Sequence, residues 1–148
     1  MQGKIKLNTD ELNMMSLFQT VTNVTARDCI IDTKMNRIIF VVNKGEMGLA
    51  IGKDGMVIKQ VEKLLDRSIE LVEYSDNPEE FIKNCLNPKF VLEVRLSERL
   101  DKSKIAVVVV DQKKKGAILG KGGKNAEKAR LLARRYFNIQ NIQIVTSQ

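Results

Sequence analysis

The sequence predicts an α+β fold made of two consecutive copies of one small unit, each ordered α-β-β-α-α-β, with a three-stranded sheet packed against helices. Three observations predict it. A Gly-Lys-x-Gly tetrad occurs twice, at Gly52-Lys53-Asp54-Gly55 and at Gly120-Lys121-Gly122-Gly123, 68 residues apart in a chain of 148. A further glycine stands four residues before each tetrad, at Gly48 and Gly116. Apolar residues at strand-like and helix-like spacing follow the same order around both tetrads.

In the first half, Thr9-Asp10-Glu11 reads as a helix start, with Leu12, Met15, Leu17 and Phe18 facing inward. Two strands are expected at Asp28–Asp32 and Arg37–Val42, joined by a turn around Thr33–Asn36. A short segment from Lys44 to Ile51 leads into the first tetrad. Val57, Ile58, Val61, Leu64 and Leu65 then recur at helical spacing, and Ser68–Tyr74 closes the half as a strand.

The second half repeats this order. Asn77 caps a helix with Pro78 at its first position and Phe81, Ile82 and Cys85 on its apolar side, and Asn87-Pro88 stops it. Strands are expected at Lys89–Leu96 and Ile105–Val110. A helix runs from the second tetrad to about Phe137, and Asn141–Thr146 is the last strand. On that helix Ala129, Leu132, Ala133 and Phe137 mark the buried stripe, and Tyr136 and Phe137 read as core rather than as stacking platforms. The polar stretch Ser75–Asn77 divides the chain into units of residues 1–75 and 76–148. Units this small bury little core alone, so they are expected to pack together or to be tied by a very short linker.

Composition narrows the chemistry. Hydrophobic residues make up 43% and charged residues 29%, as in a folded soluble protein. No apolar run reaches the roughly 20 residues that span a bilayer. The start, MQGKIKLNTDEL, lacks the apolar core of a signal peptide, so a cytoplasmic location is expected. The chain has no histidine, which excludes Ser-His-Asp triads, Cys-His pairs and His-based metal sites. Its two cysteines, Cys29 and Cys85, read as small buried apolar residues. No acidic spacing suggests a metal pair or an acid/base couple, so neither catalysis nor a cofactor is expected.

The net charge of +7 is unevenly placed. Residues 1–75 hold ten basic and ten acidic residues, and residues 76–148 hold fifteen and eight. Within 112–135 nine Lys and Arg stand against one acidic residue, Glu127. Such a segment fits a polyanion partner or a solvated basic helix face.

The tetrads admit a specific use. Without side chains, Gly52, Gly55, Gly120 and Gly123 let a phosphate approach the backbone and permit positive φ. The helix that follows presents its N-terminal N–H groups and positive dipole end. Lys53 and Lys121 add a cation, although Asp54 places a negative charge in the first loop. Ile51 with Ile58, and Leu119 with Ala126, can floor a groove for unstacked bases. A plain helix-linking turn explains one such loop better than two at matching places. A nucleotide-binding P-loop is excluded, because three residues rather than four separate Gly116 from Gly120 and Gly122 replaces the magnesium-binding hydroxyl; Gly48 to Asp54 fails in the same way. A dinucleotide fingerprint fails on spacing and on the helical segment before the loop.

The segments Ala50-Ile51-Gly52-Lys53-Asp54-Gly55-Met56-Val57-Ile58 and Ile118-Leu119-Gly120-Lys121-Gly122-Gly123-Lys124-Asn125-Ala126 resemble the KH signature Ile-Gly-x-x-Gly-x-x-Ile. The second departs from it where Ala126 replaces the large aliphatic residue. The element order is similar to the type II arrangement, so the expected fold is two tandem type II KH domains. Two such domains in succession, with Gly-Lys-Gly-Gly-Lys-Asn in the second, resemble the NusA-like transcription factors in their archaeal form. Longer bacterial relatives carry additional polymerase-binding and OB-fold domains, for which a chain of this length has no room.

The resemblance implies single-stranded RNA as the partner, with RNA polymerase or the transcription elongation complex as a further candidate, and no membrane or small-molecule substrate. It implies a role in transcription termination or antitermination. Each loop would clamp about four nucleotides of backbone. The residues implied are Ile51, Gly52, Lys53, Asp54, Gly55 and Ile58 in the first unit. In the second they are Leu119, Gly120, Lys121, Gly122, Gly123 and Lys124. Lys113–Lys115, Lys128, Arg130, Arg134 and Arg135 would supply long-range attraction, making the second unit dominant. A ribosomal-RNA or ribosome-assembly KH protein, and a KH-fold module that contacts polymerase, share these features and stay open, as does binding of single-stranded DNA.

Overall fold

A computed structural model describes residues 6–147. The reading of the N-terminus as leaderless and the outer limits of the two expected units fall partly on residues 1–5 and 148, outside the described residues. The chain separates into two compact units, Lys6–Ser75 and the part from Asp76 onward.

The first unit runs α1 (Thr9–Thr22), β1 (Ala26–Asp32), β2 (Arg37–Val42), α2 (Met47–Ile51), α3 (Met56–Leu65) and β3 (Ser68–Glu73). The second runs α4 (Pro78–Cys85), β4 (Val91–Glu98), β5 (Lys104–Asp111), α5 (Lys115–Leu119), α6 (Lys124–Phe137) and β6 (Ile139–Ser147). Each sheet has its strands in chain order. The first pair is antiparallel and the second parallel, so β2 and β5 are the central strands. The antiparallel pair closes through a short turn, whereas the parallel pair needs a long crossover. That crossover contains a short helix, the glycine tetrad and a longer helix, which places each loop between two helices.

Local chemistry explains the ends of the elements. Asn8, not Thr9, caps α1: its Oδ1 accepts from Glu11 N at 2.8 Å while Glu11 Oε1 accepts from Asn8 N at 2.9 Å. The expected cap therefore moves one residue back, because Asn8 has the extended backbone that a cap needs. Asn77 caps α4 through Glu80 N, with Pro78 in the first turn. Asn23, Asp66 and Asn138 end α1, α3 and α6 in the left-handed conformation that short polar side chains tolerate.

The first core gathers Phe18, Cys29, Ile38, Phe40, Val42, Ala50 and Val61, with Phe18 stacked on Phe40 at 4.3 Å between ring centroids. Leu12 and Leu64, part of the expected apolar faces, are about half or more exposed, whereas Met14, Met15, Ile58 and Leu65 pack against the core. β2 is buried at all six positions. At its start Arg37 bridges Asp32 at 2.8 Å and Glu70 at 3.1 Å, tying all three strands together. In the second unit Phe81, Ile82 and Cys85 are buried as expected, and Phe81 meets Tyr136 and Phe137 edge-on. Ala129, Leu132 and Ala133 form the inner stripe of α6. Neither cysteine is in a disulfide and both are fully buried; burial pushes the Cys85 thiol up to about 12, so it is no nucleophile at neutral pH. No helix among the described residues is long and apolar enough to cross a membrane.

Candidate nucleic-acid interface

The two tetrads adopt one backbone. Gly52 and Gly120 have φ/ψ of 76°/174° and 78°/167°, a region open in practice only to glycine. The third residue of each tetrad is left-handed, Asp54 at 54°/26° and Gly122 at 67°/17°. The fourth is left-handed too, Gly55 at 73°/15° and Gly123 at 74°/19°. Three positive φ values in four residues reverse the chain sharply. The turn is closed by Gly55 N donating to Gly52 O at 3.2 Å and Gly123 N donating to Gly120 O at 3.0 Å.

Crowding adds a second reason for the first glycine. A Cβ at Gly52 would overlap Val57 Cγ2 and stand 2.7 Å from Val57 Cβ and 3.0 Å from its backbone nitrogen. A Cβ at Gly120 would meet only side chains, Asn125 Nδ2 and Lys124 Cγ, each at 3.0 Å. The loop is thus pressed against the helix that follows it, rigidly in the first unit and through movable groups in the second.

Among the four longer helices, α1 and α4 are capped by asparagine, whereas α3 and α6 begin at Gly55 and Gly123 with no side-chain cap. Met56 N and Lys124 N donate back to Lys53 O and Lys121 O, the N–H groups that follow have no side-chain cap as acceptor, and the dipole leaves positive potential at the same end. The tips stay open. Lys53, Asp54, Lys121, Gly122 and Lys124 are exposed, and Gly52, Gly55, Gly120 and Gly123 are half-buried. Such an arrangement suits an anion that wants backbone donors and a cation together.

The apolar flanks are unequal. Ile51 is exposed and Ile58 half-buried against the core, while Leu119 is half-buried and Ala126 almost wholly buried. Ala126 therefore offers little surface as a groove floor. The basic cluster also divides. Lys113, Lys114 and Lys115 are exposed, with Lys114 Nζ 5.0 Å from the centre of the Phe90 ring. Lys128 is buried, and Arg130 and Arg134 reach the carbonyls of Ile142 and Gln140, joining α6 to β6. Those two arginines hold the fold together as well as adding charge.

Three residues escaped the sequence reading. Leu49 and Met56 are 67% and 62% exposed beside the first loop, and Asn125 packs against Gly120. Superposing the two tetrads at their 68-residue offset pairs Leu49 with Ala117, Met56 with Lys124 and Val57 with Asn125. That pairing is legible in the sequence. Among the described residues no group of three or more His, Cys, Asp and Glu could hold a metal ion.

The fold and its paired glycine loops define a protein of two tandem type II KH domains. The KH domain family matches residues 14–97, and the NusA-like second KH domain matches residues 78–147. The "Probable transcription termination protein NusA" of Halococcus morrhuae is 39% identical over 95% of this chain and 99% of its own length. The protein of the same name in Methanocaldococcus jannaschii is 31% identical over 97% of this chain and 76% of its own. The crystal structure of APE1850 superposes with a TM-score of 0.84 at 39% identity, covering 94% of this chain and all of that one. This chain belongs to the archaeal NusA-like family.

Proposed function

We propose that the chain is a cytoplasmic, non-catalytic transcription termination or antitermination factor that binds single-stranded RNA through two KH domains, residues 1–75 and 76–148. The carrying observation is the conjunction at each loop of an exposed lysine, a glycine turn open to solvent and a following helix without a side-chain cap. Phosphates lie against the N-termini of α3 and α6, held by backbone N–H groups and by Lys53, Lys121 and Lys124. Gly52, Gly55, Gly120, Gly122 and Gly123 keep the approach clear. Ile51, Ile58 and Leu119 supply apolar surface for bases. The relatives named as probable termination proteins support nascent RNA as the physiological ligand, and RNA polymerase or the elongation complex as the setting.

The exposed lysines at 113–115, 121 and 124 make the second domain the stronger binder. Filter binding with short single-stranded RNA tests the reading. Affinity should fall with rising salt, with a slope of about 0.7 per neutralised phosphate. No retention at low salt overturns it. Crosslinking in cells to ribosomal RNA instead of nascent transcripts would keep RNA binding and overturn the transcription role.

A further inference from the structure

Asn125 has no part in the loop or in the core. It is the second residue of α6, half-buried, and its side chain makes no hydrogen bond with another described residue. Its amide nevertheless lies at the loop. Nδ2 and Cγ stand 3.0 and 3.1 Å from where a Cβ on Gly120 would be, so the carboxamide lies against the first glycine of the loop. The next residue, Ala126, is only 3% exposed, so the apolar flank open to a base at this loop is Leu119. In the first domain the matching residue is Val57, pressed on Gly52 in the same way but without a polar atom.

A nucleotide bound at this loop presents phosphate to the backbone N–H groups and its base to the apolar flank, and the sugar lies between. Asn125 stands beside Gly120, next to the loop that would hold the phosphate, and so within reach of the sugar that adjoins it. A carboxamide both donates and accepts, which matches a 2′-hydroxyl and is wasted on deoxyribose. We infer that Asn125 reads the ribose 2′-hydroxyl at the second loop and gives that domain its preference for RNA over single-stranded DNA. The inference rests on the RNA-binding reading above. Val57 predicts that the first domain lacks such a preference.

The test uses the full chain, an oligoribonucleotide and its all-2′-deoxy counterpart of identical bases, with deoxyuridine for uridine. Asn125→Val installs the side chain already accommodated in the first domain, and Asn125→Ala guards against overpacking; unchanged thermal melting shows that each folds. Both should bind the RNA about three- to tenfold more weakly, the scale of one hydrogen bond, with no change for the DNA. Equal weakening on the two oligonucleotides, or none on either, overturns the inference while leaving RNA binding intact. Wild-type protein that binds neither overturns the underlying reading as well.

Discussion

At the first loop, Lys53 is followed by Asp54 and the rim is Leu49, Ile51 and Met56; at the second, Lys121 is followed by Gly122 and the rim is Ala117, Leu119 and Lys124. The backbones beneath are nearly superposable in φ and ψ. Within one chain, then, the conformation of the loop and the chemistry it carries are separable. The glycines specify where a ligand can approach. The residues between and beside them specify how strongly a phosphate is held there. The second domain has a lysine in its rim where the first has a methionine, and the first has a carboxylate at its tip.

Conformation should give the larger effect. Gly52→Ala forces a Cβ into a glycine-only backbone region and into Val57, including its main chain. Backbone strain of about 1–3 kcal/mol and overpacking of about 1–3 kcal/mol should together destabilise the first domain by several kcal/mol. Gly120→Ala incurs the same backbone strain, but the atoms nearest its Cβ are side-chain atoms of Asn125 and Lys124 at 3.0–3.1 Å, which need to give by only a few tenths of an ångström. Urea unfolding should therefore show the larger destabilisation for Gly52→Ala, by about 1–3 kcal/mol. Equal destabilisation would mean that φ and ψ alone fix these glycines and that packing against Val57 contributes nothing.

Charge comes next. Asp54 demonstrates that an aspartate fits the third position of this turn, so Gly122→Asp changes the second loop's charge at small conformational cost. Combined with Lys121→Asp it should weaken RNA binding tenfold or more and lower the salt slope by about 0.7 for each phosphate that the protein no longer neutralises. Lys53→Asp should weaken binding less, since Asp54 already offsets that lysine. Equal weakening from the two loops would refute the asymmetry between the domains.

The comparison also shows what the sequence could reveal. The tetrads, the strands at Arg37–Val42 and Ile105–Val110, and the α4 cap at Asn77 are legible because each is written in local residue chemistry: glycine, alternation or β-branched runs, and Asn-Pro. Leu12 and Leu64 fall on the wrong side because several helical faces fit their apolar spacing, and only the packing of α1 and α3 on the sheet chooses among them. Lys128 and Arg130 read in the sequence as part of the basic cluster that attracts RNA, but tertiary packing buries one and bonds the other to β6. Charge along a sequence does not tell which side chains a neighbouring element will claim. In the sequence Asp54 is a charge alone; its left-handed backbone, the feature that equates it with Gly122, is visible only in the fold.

The smallest effect, and the sharpest test of the comparison, is Asp54→Gly, which makes the first tetrad identical to the second. In stability two opposing terms meet. Glycine relieves a left-handed residue of about 1 kcal/mol of strain, less for aspartate than for most side chains, and it adds about as much unfolded-state entropy, so the melting temperature should barely move. In binding only the charge changes. Asp54 is exposed and screened, so removing it should tighten RNA binding about two- to threefold at low salt, and the gain should vanish as salt approaches physiological strength. That outcome makes the first loop a phosphate site held back by its own carboxylate. No gain at low salt would shift the cause of the asymmetry from the tip to the rim, where Leu49 and Met56 stand in place of Ala117 and Lys124. Met56→Lys would then be the substitution that gives the first loop its missing phosphate partner.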